Sequence, residues 1–432
     1  KGHTPDKEAS SLGGTANFKT RSPLSMKEKR RIAYNFGVRT APSFTEHIPL
    51  REAERSHPLF NFSYQEAFNV LGEKRNLGVA LNLFYSENAR GFFRTNRDYE
   101  NTTRAPAYLW DYTTVDHVNN RKQTSLNVKF EWRLSPTTRF TLNGMDNIGY
   151  EPQWREYTTR AFTTQSVGTT GNAGILPGYT DRVTEARAMP NSVIDVTSQQ
   201  TDFFTRLRHW DLGAEHEIGR LQLNYNATYS FVNVNSNHGG TLTNRISNVG
   251  WILDRTASNL YPRFVQTAGP DFTNAANYRP RLLQLPDQQI YNTIKAVRGD
   301  ARYKLPTRIP IFLKTGFRVN ENAYVNNVVP RRWNYLGNSA LSPEPSIITW
   351  DSLRTGRAIP RWEITSHLRD QTPVVPALWS EDVYFREAGN YTGRRPVSEA
   401  VTAAYVMAQG KFGESGLLSR TSYLNGVRTE KT

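Results

Sequence analysis

The stretch Leu221-Gln222-Leu223-Asn224-Tyr225-Asn226-Ala227-Thr228-Tyr229-Ser230-Phe231 alternates apolar and polar residues without a break. In an extended chain successive side chains point to opposite faces. This run therefore presents Leu221, Leu223, Tyr225, Ala227, Tyr229 and Phe231 on one face and only polar groups on the other. The same period sets Leu126, Val128, Phe130, Trp132 and Leu134 against Asn127, Lys129, Glu131 and Arg133. It recurs at Ile32, Tyr34, Phe36 and Val38, at Phe60, Phe62 and Tyr64, at Leu77 through Tyr85, and at Ile311 through Val319. With the less regular stretches near 203–217, 290–304, 400–412 and 417–430, the pattern predicts about eleven strands between residues 30 and 430.

Alternation alone also fits a soluble sandwich, and the connections separate the two architectures. Short turns are expected at 72–76, 135–137, 218–220, 305–310 and 413–416. Long segments rich in Asn, Thr, Arg, Pro and Trp fall near 41–56, 89–121, 150–202, 235–289 and 323–399. Long structureless loops argue against a compact soluble domain. Short turns alternating with long loops are the habit of an outer-membrane β-barrel. The predicted fold is therefore all-β, a transmembrane antiparallel barrel of which about eleven strands are present.

Composition agrees. Only 37% of the 432 residues are hydrophobic and mean hydropathy is -0.63, too polar for one large ordinary core. Disorder is excluded by 21 Tyr, 21 Phe and 9 Trp. A helical membrane span needs about 18 consecutive apolar residues and none occurs, whereas a barrel strand needs only every second residue apolar. The formal charge of +15 comes from basic residues scattered in alternation rather than gathered in a stripe, which speaks against nucleic acid as a partner. There is no cysteine, so thiolate metal sites and cysteine nucleophiles are excluded. The start at Lys1-Gly2-His3 carries no signal-peptide pattern.

Ahead of the first strand stands Thr4-Pro5-Asp6, followed by Leu12-Gly13-Gly14-Thr15-Ala16-Asn17-Phe18-Lys19-Thr20-Arg21-Ser22-Pro23. Glycines at a tight turn packed against a barrel wall allow positive φ or close backbone approach. This segment resembles the end of the plug domain of TonB-dependent receptors, with Gly13, Gly14, Thr15, Asn17, Thr20 and Arg21 in the places of the family's plug-end pattern. Ala404-Tyr405-Val406-Met407 and Gly426-Val427-Arg428-Thr429-Glu430-Lys431 are similar to the subgroup linked to carbohydrate uptake. The resemblance implies a plug remnant at 1–26 and the N-terminal half of a barrel at 27–432. It also implies a Gram-negative outer-membrane location, contact with outer-membrane lipid, and contact with TonB through a segment preceding this one. Since such barrels have about 22 strands, it implies further strands beyond residue 432.

The expected function is energy-coupled uptake of a scarce nutrient, an oligosaccharide or siderophore-like small molecule, bound by outer loops. No enzyme activity, cofactor or metal is expected. Two other readings of the residues are a passive porin and a surface glycan-binding β-protein without transport. The residues placed as ligand-binding candidates are the loop aromatics Tyr108, Trp110, Tyr112, Trp154, Trp251, Trp333 and Tyr335, because flat rings stack on sugars or on hydrophobic chelators with little rotamer entropy. Trp350, Trp362 and Trp379 belong to the same class. His209 and His216 are seven apart on a strand and so point to opposite faces. Gly168, Gly171 and Gly174 lack the context of a phosphate loop, and Glu131, Glu215 and Asp300 read as ion-pairing groups between basic neighbours.

Overall fold

The computed structural model describes residues 4–5, 22–40, 56–259, 261–285, 288–338, 353, 355–362, 378–412 and 421–432, without the side chains of residues 90, 153–154 and 237–238. Eleven strands follow one another as an antiparallel meander. They are β1 (Arg30–Thr40), β2 (Ser56–Val70), β3 (Glu73–Glu100), β4 (Tyr108–Ser135), β5 (Thr138–Phe162), β7 (Val193–Ile218), β8 (Leu221–Ser247), β12 (Gln288–Lys304), β13 (Ile311–Val328), β16 (Arg394–Lys411) and β17 (Ser422–Lys431). Inside the longer connections lie β6 (Val183–Ala186), β9 (Gly250–Asp254), β10 (Arg263–Ala268), β11 (Arg279–Leu285), β14 (Arg331–Tyr335), β15 (Trp379–Glu381) and the helix α1 (Val383–Thr392). Strands β11, β14 and β15 extend the main sheet to 14 strands, and β10, β9 and β6 form a separate three-stranded sheet.

Because each strand of the meander is antiparallel to the next, its connections fall alternately at two rims. Those at 71–72, 136–137, 219–220, 305–310 and 412–421 share one rim, and those at 41–55, 101–107, 163–192, 248–287 and 329–393 share the other. Connections 71–72, 136–137, 219–220 and 305–310 are short and 163–192, 248–287 and 329–393 long, as the sequence predicts, whereas the turn expected at 413–416 and residues 41–55 of the long segment expected at 41–56 lie outside the described residues, and one expectation is corrected. Residues 89–121 are not a long loop, since β3 and β4 stay paired to Glu100 and Tyr108. Apolar alternation fades there and polar and aromatic contacts take part: Phe92 stacks on His117 at 4.5 Å across the hairpin, and Arg94 lies 3.7 Å from Glu156 of β5. The turn expected at 72–76 is also tighter, a two-residue turn with Leu71 at φ 54 and Gly72 at φ 81. Two positive φ values match the twist of the flanking strands. The Asn76 side chain brackets the turn, accepting from Val70 N at 2.8 Å and donating to Val70 O at 3.0 Å.

The register lets one row be followed across the sheet: Glu66, Val79, Phe130, Leu142, Leu212, Ala227, Val297, Val319 and Thr402. The next row runs Phe68, Leu77, Trp132, Phe140, Ala214, Tyr225, Gly299, Phe317 and Ala404. Leu81, Leu83, Val128, Leu221, Leu223, Tyr229 and Phe231 lie on this same face, and Asn127, Lys129, Glu131, Gln222, Asn224 and Asn226 on the opposite one. His209 and His216 also fall on opposite faces.

Burial on these two faces is inverted relative to a soluble protein. Phe130 is 40% exposed while its neighbour Glu131, on the polar face, is 1% exposed. Ile32, Tyr34, Phe36, Trp210, Leu212, Tyr225, Val297, Phe317 and Val406 are likewise exposed on the apolar face. Several of the charged groups opposite pair with one another. Arg139 bridges Glu131 at 3.2 Å and Glu215, Asp211 accepts from Asn226 at 2.6 Å and Thr228 at 2.9 Å, and the Tyr405 hydroxyl donates to Asp300. The expected ion pairs of Glu131 and Glu215 are thus present, whereas Asp300 is held by a phenol.

Counting in twos along β7 from Leu212 and Trp210 leads to Val196 and Ile194, so the apolar face continues toward the long-loop rim. There the chain covers it. Tyr112, Tyr157, Ile194, Val196, Leu242 and Ile246 are buried in one cluster with Trp251, Leu253 and Phe264 of the three-stranded sheet. Near the short-turn rim nothing in the described residues covers it.

The polar face carries the chain's leading segment. Gly78, on that face of β3, has no room for a side chain, because a Cβ would sit 2.8 Å from Pro23 Cγ and 2.9 Å from Leu24 Cγ. The Arg75 guanidinium donates to the carbonyls of Met26, Lys27 and Glu28 at 2.6, 2.9 and 3.0 Å. At the far side of the sheet Arg428 donates to the Pro5 carbonyl at 3.4 Å. Among the described residues β1 pairs only with β2 and β17 only with β16, leaving the sheet with two unpaired edges.

Candidate functional site

The long-loop rim is where the loop aromatics gather, and most of them form its core. Trp251 on β9 has 0% exposure and stacks on Phe264 of β10 at 6.0 Å, which meets Phe272 edge-on at 5.8 Å. Tyr278 packs on Trp362 at 5.1 Å and donates its hydroxyl to the Phe272 carbonyl at 2.7 Å. Burial drives the Tyr278 phenol far above its ordinary range, so it stays neutral and remains a donor. Tyr112, Trp333 and Trp379 are buried in the same cluster. Tyr108 is buried beside Tyr179, 4.5 Å between ring centres, with its hydroxyl on the Gln165 carbonyl at 2.6 Å.

Of the seven aromatics chosen from the sequence, Tyr108, Tyr112, Trp251 and Trp333 therefore hold loops to sheet, with their rings covered by protein. A large ring in a loop of this length is the cheapest apolar area with which to anchor it. Trp110 is half-buried and its indole N–H finds no acceptor among the described residues. The side chain of Trp154, and all of Gly13, Gly14, Thr15, Asn17, Thr20 and Arg21, lie outside the described residues, as does Trp350. Only Tyr335 reaches an open cleft.

That cleft, of about 550 Å³, lies where β8, β11 and β14 end and is lined by Arg245, Ser247, Asn277, Arg279, Arg281 and Tyr335. Its geometry is built on Asp195 of β7. Arg245 meets this carboxylate through two parallel bonds of 2.6 Å, and Arg281 approaches it to 3.7 Å. The ring of Phe162 lies 5.4 Å from the Arg245 guanidinium and 4.2 Å from that of Arg160, which in turn bonds Asp111 at 2.5 and 2.9 Å. Arg279 is steadied from the other side by the carbonyls of Ala276 at 2.8 Å and Tyr278 at 2.9 Å. Two guanidiniums thus share one carboxylate, with that of Arg279 beside them, around a small opening with a phenol ring in its wall, and Trp379 braces that ring at 5.1 Å.

Such an arrangement can hold a ligand with several oxygens, because planar guanidinium forks donate in pairs and the ring offers a stacking face. The sequence signal for it, Arg279-Pro280-Arg281, is visible in hindsight, but its partners Arg245 and Tyr335 are brought alongside only by strand pairing of β11 with β8 and β14. No group of three or more metal-binding side chains occurs among the described residues.

The α1 end of the rim is tied down electrostatically. Asp382 caps the helix by accepting from Phe385 N at 2.9 Å, and Arg332 pairs with it at 2.5 Å. The Arg332 hydrogen bond, helped by the Phe385 N–H, holds the Asp382 carboxyl below the usual carboxylate range. Arg331 does the same for Glu381, 2.9 Å away. No protein-family model, no curated protein and no solved structure matches this chain, so its functional reading rests on its own geometry.

Proposed function

We propose that the chain forms the wall of an outer-membrane β-barrel of the TonB-dependent receptor type, one that captures a small molecule or oligosaccharide at its long-loop rim for energy-coupled import. The observation that carries this reading is the broad exposed apolar face set against a charged polar face. Soluble monomers rarely leave so large an apolar area open. Lipid is the solvent that suits it, with water wetting the other side.

The dimensions agree with this reading. The ten steps from Leu221 to Phe231 cover about 33 Å along the strand. At a tilt of about 40° they span about 25 Å, the height of a barrel's apolar band. Beyond Phe231 the strand continues into the loop layer, as outer-membrane barrels allow. In lipid the two unpaired sheet edges have to be paired, so the reading requires further strands to close the wall.

A porin accounts for the same wall. What favours the receptor is the leading segment on the polar face, with Pro23 and Leu24 seated over Gly78 and Pro5 bonded to Arg428. On a barrel that face is the lumen, where a plug belongs. TonB is then the energy-supplying partner and no chemistry on the ligand is needed. The test is made on the full-length protein. Recovery in the outer-membrane fraction, a heat-dependent shift in gel mobility and a closed planar-bilayer conductance are expected. A soluble product refutes the barrel, and a steadily open pore refutes the plugged receptor.

A further inference from the structure

A second cleft lies at the short-turn rim, remote in sequence and position from the loop layer. It has a volume of about 600 Å³ and sits between the turn joining β7 to β8 and the turn joining β12 to β13. Its walls include Glu217, Arg220, Arg302, Lys304, Arg308 and Phe312. The two turns are joined by a backbone bond from Lys304 N to Arg220 O at 3.0 Å, so the cleft is a fixed feature of paired strands rather than of a loose loop. Four cations line it against the single carboxylate of Glu217, which already accepts from Gln222 at 3.1 Å.

Arg302 is the informative residue. Its guanidinium lies 3.8 Å from the centre of the Phe312 ring, which limits its freedom to move. Its ladder neighbours are Gln222 and Lys314, so neither flanking strand offers it a carboxylate. Its Nε is buried and finds no acceptor among the described residues. Four like charges around one small space repel one another, and a compact anion with several oxygens placed in the cleft relieves that repulsion.

We infer that this cleft is a binding site for a tetrahedral oxyanion of the phosphate or sulfate type. Arg302, packed on Phe312, offers its Nη donors to such oxygens, and Arg220, Lys304 and Arg308 supply the remaining charge. The inference does not depend on the transport reading. The phosphate can come from solution or from a lipid head group, and both present the same oxygens to the cleft.

The experiment is a titration of the purified full-length protein in neutral detergent with sodium phosphate and sodium sulfate, each against sodium chloride at equal ionic strength. Saturable binding of one anion per chain is expected for phosphate or sulfate and not for chloride. Arg302→Gln should weaken it by at least tenfold. Since Arg302 also packs on Phe312, the exposed Lys304→Glu serves as the second variant, and it should weaken binding by at least as much with an unchanged β-sheet spectrum. Repeating the titration in the neutral detergent with short-chain phosphatidylglycerol added as competitor at equal ionic strength separates the sources: apparent phosphate affinity falls with added lipid if lipid head groups occupy the cleft and is unchanged if free phosphate does. Absence of saturable binding above the chloride control, or binding that survives Lys304→Glu, overturns the inference.

Discussion

Ala227 provides the cleanest perturbation of the apolar face. It is exposed, sits at about the midpoint of the 221–231 run, and is paired on either side with Leu212 and Val297. Replacing it with arginine removes almost no packing, so the effect reports the medium outside the strand. If water covers this face, Ala227→Arg is a surface substitution worth no more than about 0.5 kcal/mol. If lipid covers it, the side chain is charged near the midplane and the cost is about 2–4 kcal/mol. That range corresponds to a shift of about 30-fold to nearly 1,000-fold in the folding equilibrium. Ala227→Leu should be tolerated, and Asn224→Arg should be close to neutral, since Asn224 is exposed on the polar face between Glu215 and Asp300. The assay is reversible folding of the closed full-length protein into vesicles across a denaturant series. An Ala227→Arg cost no larger than that of Asn224→Arg would refute the reasoning.

Three further outcomes follow from the geometry. Trp251→Ala empties the centre of the loop layer and should cost about 3–5 kcal/mol, seen as a lowered melting transition of the long-loop rim with the main sheet intact; an unchanged transition would show that Trp251 does not anchor the layer. Gly78→Val puts a side chain where Pro23 and Leu24 sit, 2.8 and 2.9 Å from the new Cβ, so tryptic cleavage after Lys27 and Lys29 should accelerate while β3 stays paired, and an unchanged rate would contradict the described seating. In acid, Glu381 and Asp382 should release α1. Their folded pKa values are depressed, so their stabilisation is complete above the ordinary carboxylate pKa and is lost as pH falls through the lower folded values. Loop-rim melting should therefore be flat down to about pH 5 and fall below about pH 4, whereas melting that improves in acid would contradict the assignment.

How far the sequence was legible depended on which physical signal each part left in it. Along 221–231 one face differs chemically from the other, so strand, face and register can be read from residue type alone. The alternating connection lengths then order the rims, because an antiparallel meander has no other choice. Beyond residue 88 polar and aromatic residues interrupt the apolar alternation of β3 and β4, and pairing there rests also on contacts such as Phe92 with His117 that local pattern does not reveal. The loop aromatics were visible as a class, but a Trp in a loop looks the same whether it awaits a ligand or fills a core. Trp251 is buried because β6 and β10 flank it, a matter of tertiary pairing. The arginine cleft leaves no local signal for the same reason: Asp195, Arg245, Arg281 and Tyr335 span 140 positions and meet only through the ladder.

The most direct test of the account places and spin-labels single cysteines one at a time in the full-length protein; these 432 residues contain none, and any cysteine outside them is first replaced by serine. Labels at positions 221 to 231, measured in vesicles for accessibility to oxygen and to a water-soluble nickel complex, read the solvent on each face of β8. The account predicts a strict period of two, with oxygen dominant at 221, 223, 225, 227, 229 and 231, nickel dominant at 222, 224, 226, 228 and 230, and the oxygen maximum near 225–227. Nickel accessibility that is equally high at odd and even positions would contradict it.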